Sequence, residues 1–209
     1  MKAKLKRLEH AHAEHSRIRI HRAISWLARA EAEEKDLDAR FVFLWIAFNA
    51  AYAQEFGFET TERRLLGDFL LKLLAVDGER RLHRIVFEKY SGPVRLLIDN
   101  RYVFEPFWRA LREHDSSGQW EEAFSRSQRT ALASIMGNQT QIVLAIVFDR
   151  LYVLRNQLVH GGATWKSKLN RSQVRDGVNL LQSLVPIILD LMLDHPTLDL
   201  GAISYPVVA

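Results

Sequence analysis

Residues 139–160 contain neither glycine nor proline, are apolar over most of their length, and stop at Gly161-Gly162. A stretch of this kind can hardly be anything but a long helix buried among others. Its length and apolar character fit a helix, and glycine suits the left-handed backbone just past a helix end. The constraint is therefore a helical domain with this segment at its centre. Burial does not explain the final turn, however. Leu154-Arg155-Asn156-Gln157-Leu158-Val159-His160 places a guanidinium, an amide and an imidazole where the helix runs out.

The flanking sequence supplies helices to surround it. Residues 3–34 lack glycine and proline, and Ile20, Ile24 and Leu27 follow helical spacing, so one long N-terminal helix is expected within a segment 1–34. Its polar first half should project from the domain or meet a partner chain. The bundle itself is expected over 35–195. Asp36 or Asp38 can cap a helix over 38–56, with an aromatic stripe of Phe41, Trp45, Phe48, Tyr52 and Phe56. Val42, Ile46 and Ala53 form its second face, which Asn49 shares. That amide either bonds neighbouring backbone or serves as a supporting polar group at a site. Thr60 or Thr61 should start a third helix, with Leu65, Leu66, Phe69, Leu70, Leu73 and Leu74 inward, ending near Asp77-Gly78. Short helices are expected over 79–113, a loop at 115–118, a helix at 119–136, and a last long helix at 171–194 kinked at Pro186. The tail, 196–209, has mixed apolar character and suits an extended segment. The predicted class is all-α: an antiparallel bundle with a long N-terminal helix and extra short helices in the middle.

Composition narrows the setting. The 209 residues, 48% hydrophobic, suffice for one domain with a real core, and the chain has no cysteine; a reducing, cytoplasmic location is expected. The longest apolar run, Phe41 to Ala53, is too short to cross a bilayer, so no membrane partner is expected. Net charge is +4, and it is unevenly placed: residues 1–22 hold seven Lys and Arg against Glu9 and Glu14. Lys2, Lys4, Lys6 and Arg7 are candidate RNA contacts on this basic arm; the plainer alternative is a solvated helix face. His10, His12 and His15 do not share one face of a helix. No HExxH, Gly-rich phosphate loop or serine-nucleophile motif occurs, and neither metal nor cofactor is expected.

On a helix Asn156 and His160 share a face, whereas the Cα–Cβ directions of Arg155 and His160 diverge by roughly 140°. Arginine's length narrows that gap, or a symmetric partner supplies one of the two. The residue types suit cleavage of an RNA phosphodiester. Histidine can take the 2′-hydroxyl proton. A guanidinium can hold the charge that gathers on the phosphate. Asn156 can orient either, and a second copy of the pair can protonate the leaving 5′-oxygen.

Arg155-Asn156-Gln157-Leu158-Val159-His160 resembles the Arg-x4-6-His motif of HEPN domains (higher eukaryotes and prokaryotes nucleotide-binding), including the polar residue after the arginine. Phe43-Leu44-Trp45-Ile46-Ala47-Phe48-Asn49-Ala50-Ala51-Tyr52 is similar to the aromatic second helix of several HEPN groups. The resemblance covers about residues 38–195. It implies a bundle of four or five helices, usually a homodimer, with both motifs in an interface cleft. It further implies a metal-independent endoribonuclease of toxin–antitoxin, phage-defence or RNA-processing type, with Arg155 and His160 as the catalytic pair and Asn156 as their helper. An antitoxin protein would then be a further partner. Some toxin members carry a modified tyrosine two residues after the histidine; Gly162 stands there in this chain. Non-catalytic HEPN domains, which bind RNA or nucleotides or serve in dimerisation, are the alternative.

Overall fold

The computed structural model describes residues 1–52, 62–203 and 205, and among them every regular element is helical. Ten α-helices follow in order: α1 (Lys2–Leu8), α2 (Glu14–Glu31), α3 (Leu37–Tyr52), α4 (Glu62–Val76), α5 (Arg81–Arg84), α6 (Ser91–Ile98), α7 (Glu105–Glu113), α8 (Gln119–Met136), α9 (Thr140–Val159) and α10 (Arg171–Asp194). The expected all-α class is thus present. Phe56, Ala53, Thr60 and Thr61, assigned above to a helix face or a helix start, lie outside the described residues.

The single N-terminal helix is corrected to two. A 3-10 turn at Glu9–Ala11 follows α1, and His12 and Ala13 adopt extended backbone before α2 begins. The break has a tertiary cause. It lets α1 fold back onto the end of α10, where Leu5 enters the core and His12 Nε2 lies 3.1 Å from the carbonyl of Leu193. Lys4 pairs with Asp190 and, at 2.8 Å, with Asp194. The arm therefore does not project. α1 and α2 share one hydrophobic core with the later helices.

Three contacts define how the central helices run. Trp26 meets Phe43 at 5.8 Å between ring centroids, and Arg19 reaches the carbonyl of Ala51; α2 and α3 are antiparallel. Phe48 stacks on Phe148 at 4.1 Å, and Trp45 meets Tyr152 at 6.1 Å, so α9 is antiparallel to α3. A Cβ at Gly177 would lie 2.6 Å from the ring of Phe41 and 3.1 Å from Leu151. Glycine is required there because α10 crosses α3 and α9 too closely for any side chain. Phe41, Phe48, Phe148, Leu144 and Leu151 are fully buried at the centre.

Between α4 and α8 the chain is a series of short pieces. Asp77, buried, accepts the backbone N–H groups of Arg81 and Leu82 and so caps α5. A π-helical segment at Ile85–Lys89 leads to α6, and Pro93 sits in the first turn of that helix. A 3-10 turn at Arg101–Val103 leads to α7. Pro186 lies inside α10. By length and composition α10 could cross a membrane although no continuous apolar run marks it; 67% of that stretch is buried against the other helices.

Candidate functional site

The C-terminus of α9 meets the N-termini of α3 and α10, and local sequence explains why the chain stops and turns there. His160 is the last residue with near-helical backbone; its N–H donates to the carbonyl of Asn156 at 3.0 Å. Gly161 follows at φ +70°, the left-handed position that favours glycine. The N–H of Ala163 then returns to the carbonyl of Gln157 at 3.1 Å. His160 is consequently carried on the rim, with its side chain exposed.

Arg155 lies one turn back and is half-buried. Its Nη1 donates to Asn156 Oδ1 at 2.8 Å, and the guanidinium carbon stands 5.8 Å from the centre of the Tyr152 ring. Among the described residues no acidic side chain pairs with Arg155 or with His160. The guanidinium retains donors for an anion. Arg155 and Asn156 are brought into contact; among the described residues no hydrogen bond or ion pair joins either side chain to the His160 ring. Asn49 is half-buried on α3. The level of Arg155 corresponds to Phe41 and Val42 on that helix, so Asn49 lies about 10 Å further along it.

The loop after His160 is tied down by side chains from the start of α3. Asp36 accepts the N–H groups of Asp38 and Ala39 at 3.0 and 3.1 Å, the capping role expected of it, and its other oxygen accepts the Trp165 indole N–H at 2.7 Å. Burial pushes the Asp36 carboxyl up, but the Trp165 bond, the two backbone donors and the Lys166 charge outweigh it and hold the group below its ordinary range. Asp38, the other candidate cap, turns to the loop instead. It takes a two-pronged contact from Arg171 and, at 2.8 Å, the N–H of Lys166. Tethered this way, the loop still presents Trp165 at 69% and Leu169 at 94% exposure, beside an exposed Val159. A tryptophan and a leucine in a polar loop were the sequence signal for this rim. They were overlooked because neither follows a helical period.

The 3-10 turn after α6 borders the same helix end. Gln157 Nε2 donates to the carbonyl of Tyr102 at 2.6 Å, and so does Trp108 Nε1 at 2.8 Å. Phe107 packs edge-on against Tyr102, Trp108 and Trp120. No periodicity in the sequence links residues 101–108 to Gln157.

The basic arm divides. Lys2, Lys6 and Arg7 are exposed, whereas Lys4 is held by Asp190 and Asp194. Its ammonium is kept above its ordinary range: burial opposes this, but the two carboxylates prevail. Arg19 is only 1% exposed and donates to the carbonyls of Ala51, Leu200, Gly201 and Ala202 at 3.0–3.2 Å. Desolvation brings its pKa down to about 10, partly countered by Asp199, so it enters the fold as a cation at neutral pH. No protein-family model, no curated protein and no solved structure matches this chain.

Proposed function

We propose that the chain is a metal-independent endoribonuclease of HEPN type that cleaves single-stranded RNA at a composite site formed by two copies. The observation that carries this reading is the last turn of α9: a guanidinium without an acidic partner among the described residues, an amide bonded to it, and an exposed imidazole on the rim. Within one copy the arginine faces Tyr152 and the histidine faces solvent. Two copies set rim to rim would place the histidine of one beside the arginine of the other. The exposed Val159, Trp165 and Leu169 supply apolar surface for such a contact.

In the reaction, one His160 takes the proton from the 2′-hydroxyl. The freed oxygen bonds to phosphorus as the bond from phosphorus to the 5′-oxygen breaks. The second His160, as imidazolium, donates a proton to that leaving oxygen, and the product end is a 2′,3′-cyclic phosphate. Arg155 bears on the phosphate oxygens, where negative charge gathers, and Asn156 keeps the guanidinium oriented.

Purified protein should cut single-stranded RNA in EDTA. Arg155→Ala and His160→Ala should each lower the rate by about 100- to 10,000-fold, with the helical circular dichroism unchanged. Wild-type rates in both variants would remove the proposal. The rival reading, a helical module that binds RNA or nucleotide without turnover, is favoured by the Arg155–Asn156 bond, which already occupies one guanidinium donor. Intact RNA after long incubation with tight, salt-sensitive binding would select it.

A further inference from the structure

Lys2, Lys6 and Arg17 have no acidic partner among the described residues. They converge with His21 and Arg22 on an open groove of about 500 Å³ between α1 and α2. Its floor is apolar, from Leu5 and Ile18, and Glu9 is the carboxylate on its lining. Arg22 donates to the neutral carbonyl of Tyr205 at 2.6 Å.

The cationic surface does not end at the groove. From His15 to Ala30 the chain has no acidic residue. One turn beyond Arg22 on the outer side of α2 stands Trp26, 38% exposed and packed against Phe43. Arg29 follows, its guanidinium 4.5 Å over the Phe43 ring and paired with Glu33. Cations followed by a flat ring at helical spacing fit a flexible polyanion that carries flat groups: phosphates meet the cations and a base stacks on the indole. An anionic membrane is the competing polyanion. It calls for an apolar helix face turned outward between the cations, and α2 turns Ile20, Ile24 and Leu27 into the core.

We infer that the groove and the outer face of α2 form a binding track for single-stranded nucleic acid. This track deepens the nuclease reading and rests on it for the identity of the strand as RNA. The groove lies at the bundle end remote from His160. α2 leads from it to the turn bearing Asp36, whose carboxylate holds Trp165 of the loop after His160. The track would hold the strand beyond the cleavage site and so act on substrate affinity.

The probe is a fluorescent oligothymidylate of about a dozen nucleotides, which lacks the 2′-hydroxyl and cannot be cut by the proposed route. The full chain should bind it, and a Lys6→Ala/Arg17→Ala/Arg22→Ala variant should bind at least about tenfold more weakly. Loss of three phosphate contacts should lower the slope of log affinity against log salt by about 2. Trp26→Ala should weaken binding by roughly tenfold with the slope unchanged. On RNA the triple variant should raise KM and spare kcat. Unchanged oligothymidylate affinity in both variants would overturn the track. So would capture of wild-type protein by phosphatidylserine vesicles, lost in the triple variant, without oligonucleotide binding. Failure to cut RNA would sink the nuclease reading alone, because oligothymidylate binding is read without turnover.

Discussion

Two buried or half-buried arginines, Arg19 and Arg155, are treated in opposite ways at the two ends of this bundle. At the end formed by α1, the start of α2 and the close of α10, the cations that face α10 and the tail are consumed by the fold, while Lys2, Lys6 and Arg17 are left to the groove. Asp190 takes both Lys4 and Arg81, Asp194 takes Lys4 again, and Arg19 is spent on four backbone carbonyls. At the other end, Asp38 claims Arg171 and leaves Arg155 to a neutral amide. A buried cation must be satisfied or it destabilises the fold; a half-buried one with a neutral neighbour can be left available to a ligand. Charge alone does not reveal a site, and the same residue type serves as staple at one end and as candidate reagent at the other.

Stability measurements can break that comparison. Arg19→Leu should have the largest effect, because it strands several carbonyls at once: about 3 kcal/mol, or roughly 10 °C in Tm for a chain of this size. A smaller loss would mean that the tail residues 200–202 are held by something other than the guanidinium.

Asp190→Asn should cost less, about 1 kcal/mol at neutral pH, since the cluster is partly exposed. Its pH dependence sharpens the test. Burial pushes the Asp190 carboxyl up, but Lys4 and Arg81 outweigh it and hold the group below its ordinary range. A carboxyl depressed in the folded state contributes stability above its unfolded pKa of about 3.9, and that contribution is lost as pH falls through the folded value. Wild type and Asp190→Asn should therefore differ at neutral pH and converge in acid. A difference that persists in acid would assign the effect to packing.

The smallest change in stability is expected at the open end. Arg155→Ala and His160→Ala should each alter stability by less than about 1 kcal/mol, since neither side chain is in an ion pair among the described residues. A loss as large as that of Arg19→Leu would make Arg155 a structural staple and erase the contrast.

Much of the architecture was legible because helices advertise themselves locally. The stop at Gly161, the Asp36 cap, and the spans of α8, α9 and α10 follow from periodicity and punctuation, which neighbours in sequence decide. The break at His12-Ala13 did not, because no glycine or proline marks it. It exists so that Leu5 can be buried and Lys4 can reach α10, more than 180 residues away. Lys4, read as a free cation, was misplaced for the same reason. Arg155, Asn156 and His160 could be picked out as a group by residue type and spacing. That Arg155 bonds Asn156 while no acid among the described residues claims it depends on where Asp36 and Asp38 point.

By itself, then, the chain determined an all-helical domain, a central helix ending in an arginine, an amide and a histidine, and a basic N-terminal region. Tertiary structure decided which of those charges are neutralised. Helical period and end signals act over a few residues, whereas an ion pair or a buried guanidinium is set by whichever side chains the packing brings within about 3 Å.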